Sequence, residues 1–283
     1  MPALHERIAD ARAALIAAGI PADEAALDAE LLARHVLGWD RARLLVALRD
    51  PAPGALEPAY SEAVARRVQR VPVSLITCVR EFWGLDFEVS PDVLTPRPET
   101  ELIVEEALAL LRRDAAAVIV DVGTGSGCLA VALARDLPNA RIVATDISGP
   151  ALNVARRNAA RHGVDDRVTF VHADVLEGVS VTADLIVSNP PYVAEADAGV
   201  LPLEVAANEP HVALFGGVDG LDVYRRLFSD APAVLAAGGR LIVEVGYDQA
   251  GPVQSLAAAS GWTFERARAD LQGILRTLIF RRS

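Results

Sequence analysis

The feature that most restricts how this chain can fold is a series of short apolar segments that recur between helix-like stretches after Ala115. Residues 118–122, 142–144, 168–171, 185–187 and 241–245 read as strands, with helices of 10 to 15 residues between most of them. A strand with one wet face alternates apolar and polar side chains, whereas a continuous apolar run needs cover on both faces. Such strands alternating with helices imply a parallel sheet with helices on either side. The chain closes differently, with residues 262–268 and 274–280 separated by Asp270-Leu271-Gln272-Gly273. This terminal hairpin places an antiparallel strand in an otherwise parallel sheet of seven strands, and disfavours a six-stranded dehydrogenase domain.

Residues 1–75 read as a small helical domain. Ile8, Ala11, Leu15 and Ile16, then Ala26, Ala29, Leu31, Leu32 and Val36, recur at helical spacing. Gly19-Ile20-Pro21 separates two helices, with Asp23 expected to cap the second. Residues 76–98 read as a β-hairpin linker around Gly84, followed by the proline-stiffened loop Leu94-Thr95-Pro96-Arg97-Pro98. The α/β domain occupies residues 99–283 and opens with a helix over 99–113.

Composition removes several function classes. No apolar run approaches the roughly 20 residues needed to span a bilayer, and the mixed charges of His5-Glu6-Arg7 lack signal-peptide form. A cytoplasmic chain without a membrane partner is expected. The net charge is −11, with every basic side chain an arginine. An acidic average disfavours affinity won by neutralising phosphates, so no direct nucleic-acid binding is expected. The two cysteines, Cys78 and Cys128, read as small core residues, and the histidines lack metal-ligand spacing, so no metal is expected.

Chemistry concentrates at strand ends. Asp121-Val122-Gly123-Thr124-Gly125-Ser126-Gly127 follows the first strand and opens a helix. Its glycines permit positive φ and close approach of a ligand, while the helix start offers N–H groups and a partial positive charge. Cys128 after Gly127 excludes a phosphate-binding Walker loop. The Gly-x-Gly-x-Gly spacing after an acid resembles motif I of S-adenosylmethionine-dependent methyltransferases. Asp146 ends the next strand, where a carboxylate accepts from a ribose diol or caps the following helix. Asp174 ends the third, within reach of an adenine amino group.

The fourth strand runs into Asn189-Pro190-Pro191-Tyr192. A plain strand terminator is one reading, because two prolines cannot donate to a sheet. Nitrogen chemistry is the other. An amide or arylamine nitrogen delocalises its lone pair into a π-system, and two acceptors gripping its N–H bonds favour the pyramidal transition state. The Asn189 side-chain oxygen and the Pro190 carbonyl suit that task on a rigid turn, with Tyr192 as a flat surface for the planar group.

With these residues the chain resembles the peptide chain release factor glutamine methyltransferases over nearly its whole length. The likeness is carried by Leu94 to Glu101, the glycine loop, Ser188-Asn189-Pro190-Pro191-Tyr192, Glu209-Pro210, Gly216 to Asp222 and Glu244 to Gln249. It implies a Rossmann-like class I methyltransferase domain behind an all-α N-terminal domain that grips a class I release factor. It also implies methylation of the glutamine in that protein's Gly-Gly-Gln motif, using S-adenosylmethionine. By position, Gly123, Thr124, Gly125, Ser126 and Gly127 would line the methionine part of the cofactor, Asp146 the ribose, and Asp174 with Val175 the adenine edge. Asn189, Pro190, Pro191 and Tyr192 would hold the glutamine, with Asn189 also beside the cofactor. The alternative class is a methyltransferase acting on exocyclic amino groups of nucleic acids. One departure is Leu75-Ile76-Thr77-Cys78, where the family has a glycine before the hairpin. Arg97 either anchors the following helix through Glu99 or Glu101, or belongs to a loop that closes over the site. Gly216 to Asp222 reads first as a turn and helix cap, and second as part of a substrate channel.

Overall fold

The computed structural model describes residues 2–282. Their contacts divide them into two units, one of residues up to 78 together with 203–208, the other of 79–202 and 209 onward.

In the first unit, α1 (Leu4–Ala17), α2 (Ala22–Leu37), α3 (Arg41–Ala47), α4 (Ala59–Val68) and α5 (Val73–Thr77) enclose a core that includes Leu4, Leu15, Leu32, Leu44, Leu56 and Tyr60. The Tyr60 hydroxyl donates to the Ala29 carbonyl at 3.0 Å, which satisfies a polar atom inside that core. Asp23 does not cap α2. The helix begins one residue earlier, after Pro21, whose ring holds φ at −53°, and Asp23 lies in the first turn, where a negative charge favours the helix dipole. Cys78 ends α5 with φ of 57° and is exposed, so it is not a core residue. A backbone in that region explains why glycine suits the position.

Arg67 is 2% exposed and holds the unit together. It donates to Asp28 at 2.7 Å, to Glu24 at 2.5 Å and to Glu204 at 3.3 Å. Arg70 adds a bond to Glu204 at 2.8 Å. The segment 203–208, distant in sequence, joins the helical unit through that shared carboxylate.

The second unit opens with a hairpin, β1 (Val79–Phe82) and β2 (Leu85–Glu88), then α6 (Glu101–Leu110). The α6 helix stops at Leu110 because Leu111 turns extended, earlier than the sequence pattern implied. Alternation follows: β3 (Val118–Val122), α7 (Cys128–Asp136), β4 (Arg141–Asp146), α8 (Gly149–Arg161), β5 (Val168–His172) and β6 (Ala183–Ser188). After β6 come α9 (Leu203–Asn208, within the helical unit), α10 (His211–Leu214), α11 (Asp222–Val234), β7 (Leu235–Glu244), α12 (Ala250–Ala259), β8 (Trp262–Ala269) and β9 (Leu275–Arg282).

The seven strands lie in the order β5-β4-β3-β6-β7-β9-β8. The first five pair in parallel, and β9 runs antiparallel between β7 and β8. On one face Ile119, Ile142 and Leu185 pack with α6, α7 and the hairpin, whose Phe82 and Phe87 are fully buried. On the other, Val120, Val122 and Val243 pack with α11 and α12. Strand order reverses between β3 and β6, where Val122 lies opposite Ser188. A crevice opens at the carboxyl ends of parallel strands at such a reversal, so the glycine loop and the double-proline turn emerge side by side.

Candidate active site

That crevice is a cavity of about 440 Å³, within the roughly 300–1,000 Å³ of small-molecule sites. Gly123, Thr124, Gly125, Ser126, Asp146, Asp174, Val175, Asn189, Pro190 and Pro191 all line it. Gly127 and Tyr192 are not among its lining residues.

The glycines divide the labour of the loop. Gly123 and Gly125 have φ of 71° and 55°, and a Cβ built on either meets nothing within 4 Å, so the space above them is open. A Cβ on Gly127 would lie 3.0 Å from that of Ala155, so this glycine lets α7 approach α8. The loop is braced by its own backbone: the N–H groups of Gly123 and Thr124 donate to the Thr145 carbonyl, and that of Gly125 to Asp146.

The acids at the strand ends play different parts. Asp146 accepts from Gly125 and Ser148, each at 2.8 Å, and burial pushes its carboxyl up. Capping of α8 falls to Ser148, which accepts from the Ala151 N–H at 3.2 Å. Asp174 pairs with Arg226 at 2.6 Å and stays half-exposed on the cavity wall. Asp121 faces away from the cavity. Two residues beyond Ile119 in the same strand, it points to the same buried face, where it accepts from the Thr124 hydroxyl at 2.6 Å and the Ala130 N–H at 3.2 Å. Burial pushes its carboxyl up to about 7.

The turn after β6 is held from several sides. Gln249 donates to the Tyr192 carbonyl at 2.8 Å. A Cβ on Gly216 would lie 2.5 Å from the Pro191 carbonyl, and one on Gly220 would lie 2.3 Å from that of Tyr192. These two glycines therefore back the turn, while no side chain of the Gly216 to Asp222 segment caps α11. The Tyr192 ring packs against the core under α11, off the cavity wall. It braces the turn from below instead of presenting a face to the cavity. A flat surface exists elsewhere, in His211 and Phe215, stacked 4.1 Å apart on the wall.

Asn189 carries the sharpest chemical signature. Its Nδ2 donates to the Thr100 hydroxyl at 3.0 Å, while its Oδ1 is buried with no hydrogen-bond partner among the described residues. A buried acceptor left open is costly, and on a cavity wall it is free to take a donor from a ligand. Arg97, also on the wall, donates to both oxygens of Glu209, at 2.8 and 2.7 Å, and so anchors its loop to the segment after α9 and not to Glu99 or Glu101. Burial raises the Glu209 carboxyl even against that cation. Thr100, Glu209 and Glu244 lie in stretches that carry the family resemblance but received no role from sequence, and the His211–Phe215 pair was not singled out, because nothing local shows what they contact. Among the described residues, no group of three or more His, Cys, Asp or Glu side chains could hold a metal ion.

Five parallel strands, an antiparallel terminal hairpin and a glycine-loop cavity at the reversal of strand order define a Rossmann-like class I methyltransferase. A methyltransferase from Pyrococcus furiosus shares this fold, with a TM-score of 0.55 over 78% of this chain and 98% of that one, at 20% identity. Residues 100–204 match the methyltransferase small domain, and residues 6–77 match the PrmC N-terminal domain. The release factor glutamine methyltransferase of Cereibacter sphaeroides is 45% identical over 94% of this chain and 95% of its own length. That of Deinococcus radiodurans is 39% identical over 99% of both. The chain belongs to the release factor glutamine methyltransferase family.

Proposed function

We propose that this protein transfers a methyl group from S-adenosylmethionine to the side-chain amide nitrogen of the glutamine in the Gly-Gly-Gln motif of class I peptide chain release factors. The observation that carries the reading is the unpartnered, buried Oδ1 of Asn189 on the cavity wall. A primary amide offers two N–H donors. Asn189 Oδ1 accepts one and the Pro190 carbonyl the other, which turns the nitrogen lone pair away from both and disperses the positive charge that grows on nitrogen. The prolines fix these acceptors before the substrate arrives, so little reorganisation accompanies reaction. The stacked His211–Phe215 pair and Pro191 supply apolar surface for the planar amide.

The residues present fit the cofactor. Open space over Gly123 and Gly125 admits the methionine part, Asp146 suits the ribose diol, and Asp174 with Val175 suits the adenine edge. When bound, S-adenosylmethionine supplies an electrophilic methyl group on a sulfonium. The helical unit serves release-factor recognition in this reading, which the match of residues 6–77 to the PrmC N-terminal domain supports.

Incubation with methyl-labelled S-adenosylmethionine tests the proposal. Label is expected in a class I release factor and absent from a version whose Gly-Gly-Gln glutamine is replaced by glutamate. Label in bulk RNA and none in the release factor would overturn it.

A further inference from the structure

The double-proline turn does not itself decide whether the Asn189 amide shows oxygen or nitrogen to the cavity. That choice is made two residues away in space. The Thr100 hydroxyl accepts from Asn189 Nδ2 at 3.0 Å and donates to Glu244 Oε2 at 2.7 Å. A threonine hydroxyl owns one proton, and a carboxylate can only accept. With the proton committed to Glu244, the hydroxyl has only lone pairs left for Asn189. The amide must therefore turn its NH2 to Thr100, which sends Oδ1 the other way. In the reversed orientation Oδ1 would face those lone pairs, and the NH2 would face the donors of an incoming amide, so both ends would lose a hydrogen bond. Thr100 and Glu244 are each 2% exposed, too enclosed for water to substitute freely.

Glu244 is itself fixed. Tyr224, from α11, donates to its main-chain carbonyl at 2.7 Å. From these contacts we infer that Thr100 and Glu244 are positioning residues, which lock the Asn189 amide with its oxygen toward the substrate. The inference rests on the reading of Asn189 as the acceptor for the substrate amide.

The lock has a pH limit. Besides Tyr192 and Tyr224, Glu99, Arg276 and Cys128 face the Glu244 carboxyl electrostatically, and burial pushes it up to about 7. Once protonated it can donate to Thr100, whose own proton is then free to turn to Asn189 and favour the reversed amide.

The test compares Thr100→Val, Thr100→Ser and Asn189→Ala with the full-length parent, with turnover measured on a release factor and S-adenosylmethionine affinity measured by calorimetry. Thr100→Val is expected to lower kcat about 10- to 100-fold with cofactor Kd changed less than about threefold, and Thr100→Ser to restore most of the loss. The parent should lose kcat as pH falls from about 8 to about 6, and Thr100→Val should lack that decline. Thr100→Val with full kcat beside an inactive Asn189→Ala would overturn this inference alone. Full turnover by Asn189→Ala would instead remove the reading of the site beneath it. Should Thr100→Val fail to fold, Thr100→Ala takes its place, and full kcat there beside an inactive Asn189→Ala overturns the lock.

Discussion

The turns that follow β3 and β6 start from directly opposed residues, Val122 and Ser188, yet they are built from opposite materials. The first is glycine-rich, bends through positive φ, and uses its own N–H groups on Thr145 and Asp146, which leaves open volume above Gly123 and Gly125. The second is stiffened by Pro190 and Pro191, wedged behind by Gly216 and Gly220, and leaves an acceptor on Asn189 without a partner among the described residues. One contributes room and the other directed polarity. Binding and chemistry can thus be perturbed separately, although the two turns share one cavity.

The largest expected effect breaks that division at its polar end. Asn189→Ala should cut kcat by about 10²–10³-fold, the cost of removing one preorganised group at a site of developing charge. Cofactor Kd should move by less than about threefold in the same calorimetric measurement. Equal losses in both would mean that the two turns do not act separately. Gly216→Ala comes next. Its new methyl group would lie 2.5 Å from the Pro191 carbonyl and 2.7 Å from that of Gly220, so the backbone must shift. A displacement of about 1 Å at reacting groups costs about 10²-fold in kcat, which single-turnover kinetics would read against unchanged cofactor binding.

The other two predictions sharpen the glycine side. Asp121 anchors the loop as a fully buried carboxyl whose pKa is raised by burial to about 7. A raised folded-state pKa favours the folded protein while the group is protonated, and that contribution fades as pH climbs from the unfolded value of about 4 through 7. Stability by urea denaturation should therefore fall between about pH 5 and pH 8 by on the order of 2 kcal/mol more in the parent than in Asp121→Asn. The smallest effect separates two glycines of one loop. Gly127→Ala should destabilise the ligand-free protein by about 1 kcal/mol more than Gly125→Ala, because only the former crowds Ala155. Gly125→Ala should instead fall mainly on cofactor Kd.

What could be read from sequence follows the same divide between local and distant causes. Strands and both turns were legible because apolar runs, glycine and proline act on their own backbone. The seven-stranded sheet with its antiparallel hairpin was legible from order alone. Thr100 was not, since its partners Asn189 and Glu244 lie 89 and 144 residues away in the chain. Arg97 was ambiguous for the same reason, its carboxylate being 112 residues distant. Asp121 was grouped with Asp146 and Asp174 as an acid at a strand end. Counting by twos from Ile119 would have turned it inward. Tyr192 was expected beneath the substrate, and only its packing against the core under α11 shows that it lies off the cavity wall.

The buried guanidinium of Arg67, which reaches Asp28 and Glu24 nearby and Glu204 some 137 residues further on, has a consequence for anyone dissecting the gene. No single cut yields both units whole. A fragment that stops after Cys78 carries the cation but forfeits one of its three counter-charges, and a fragment that begins at Val79 carries a short insert deprived of the arginines that recruit it.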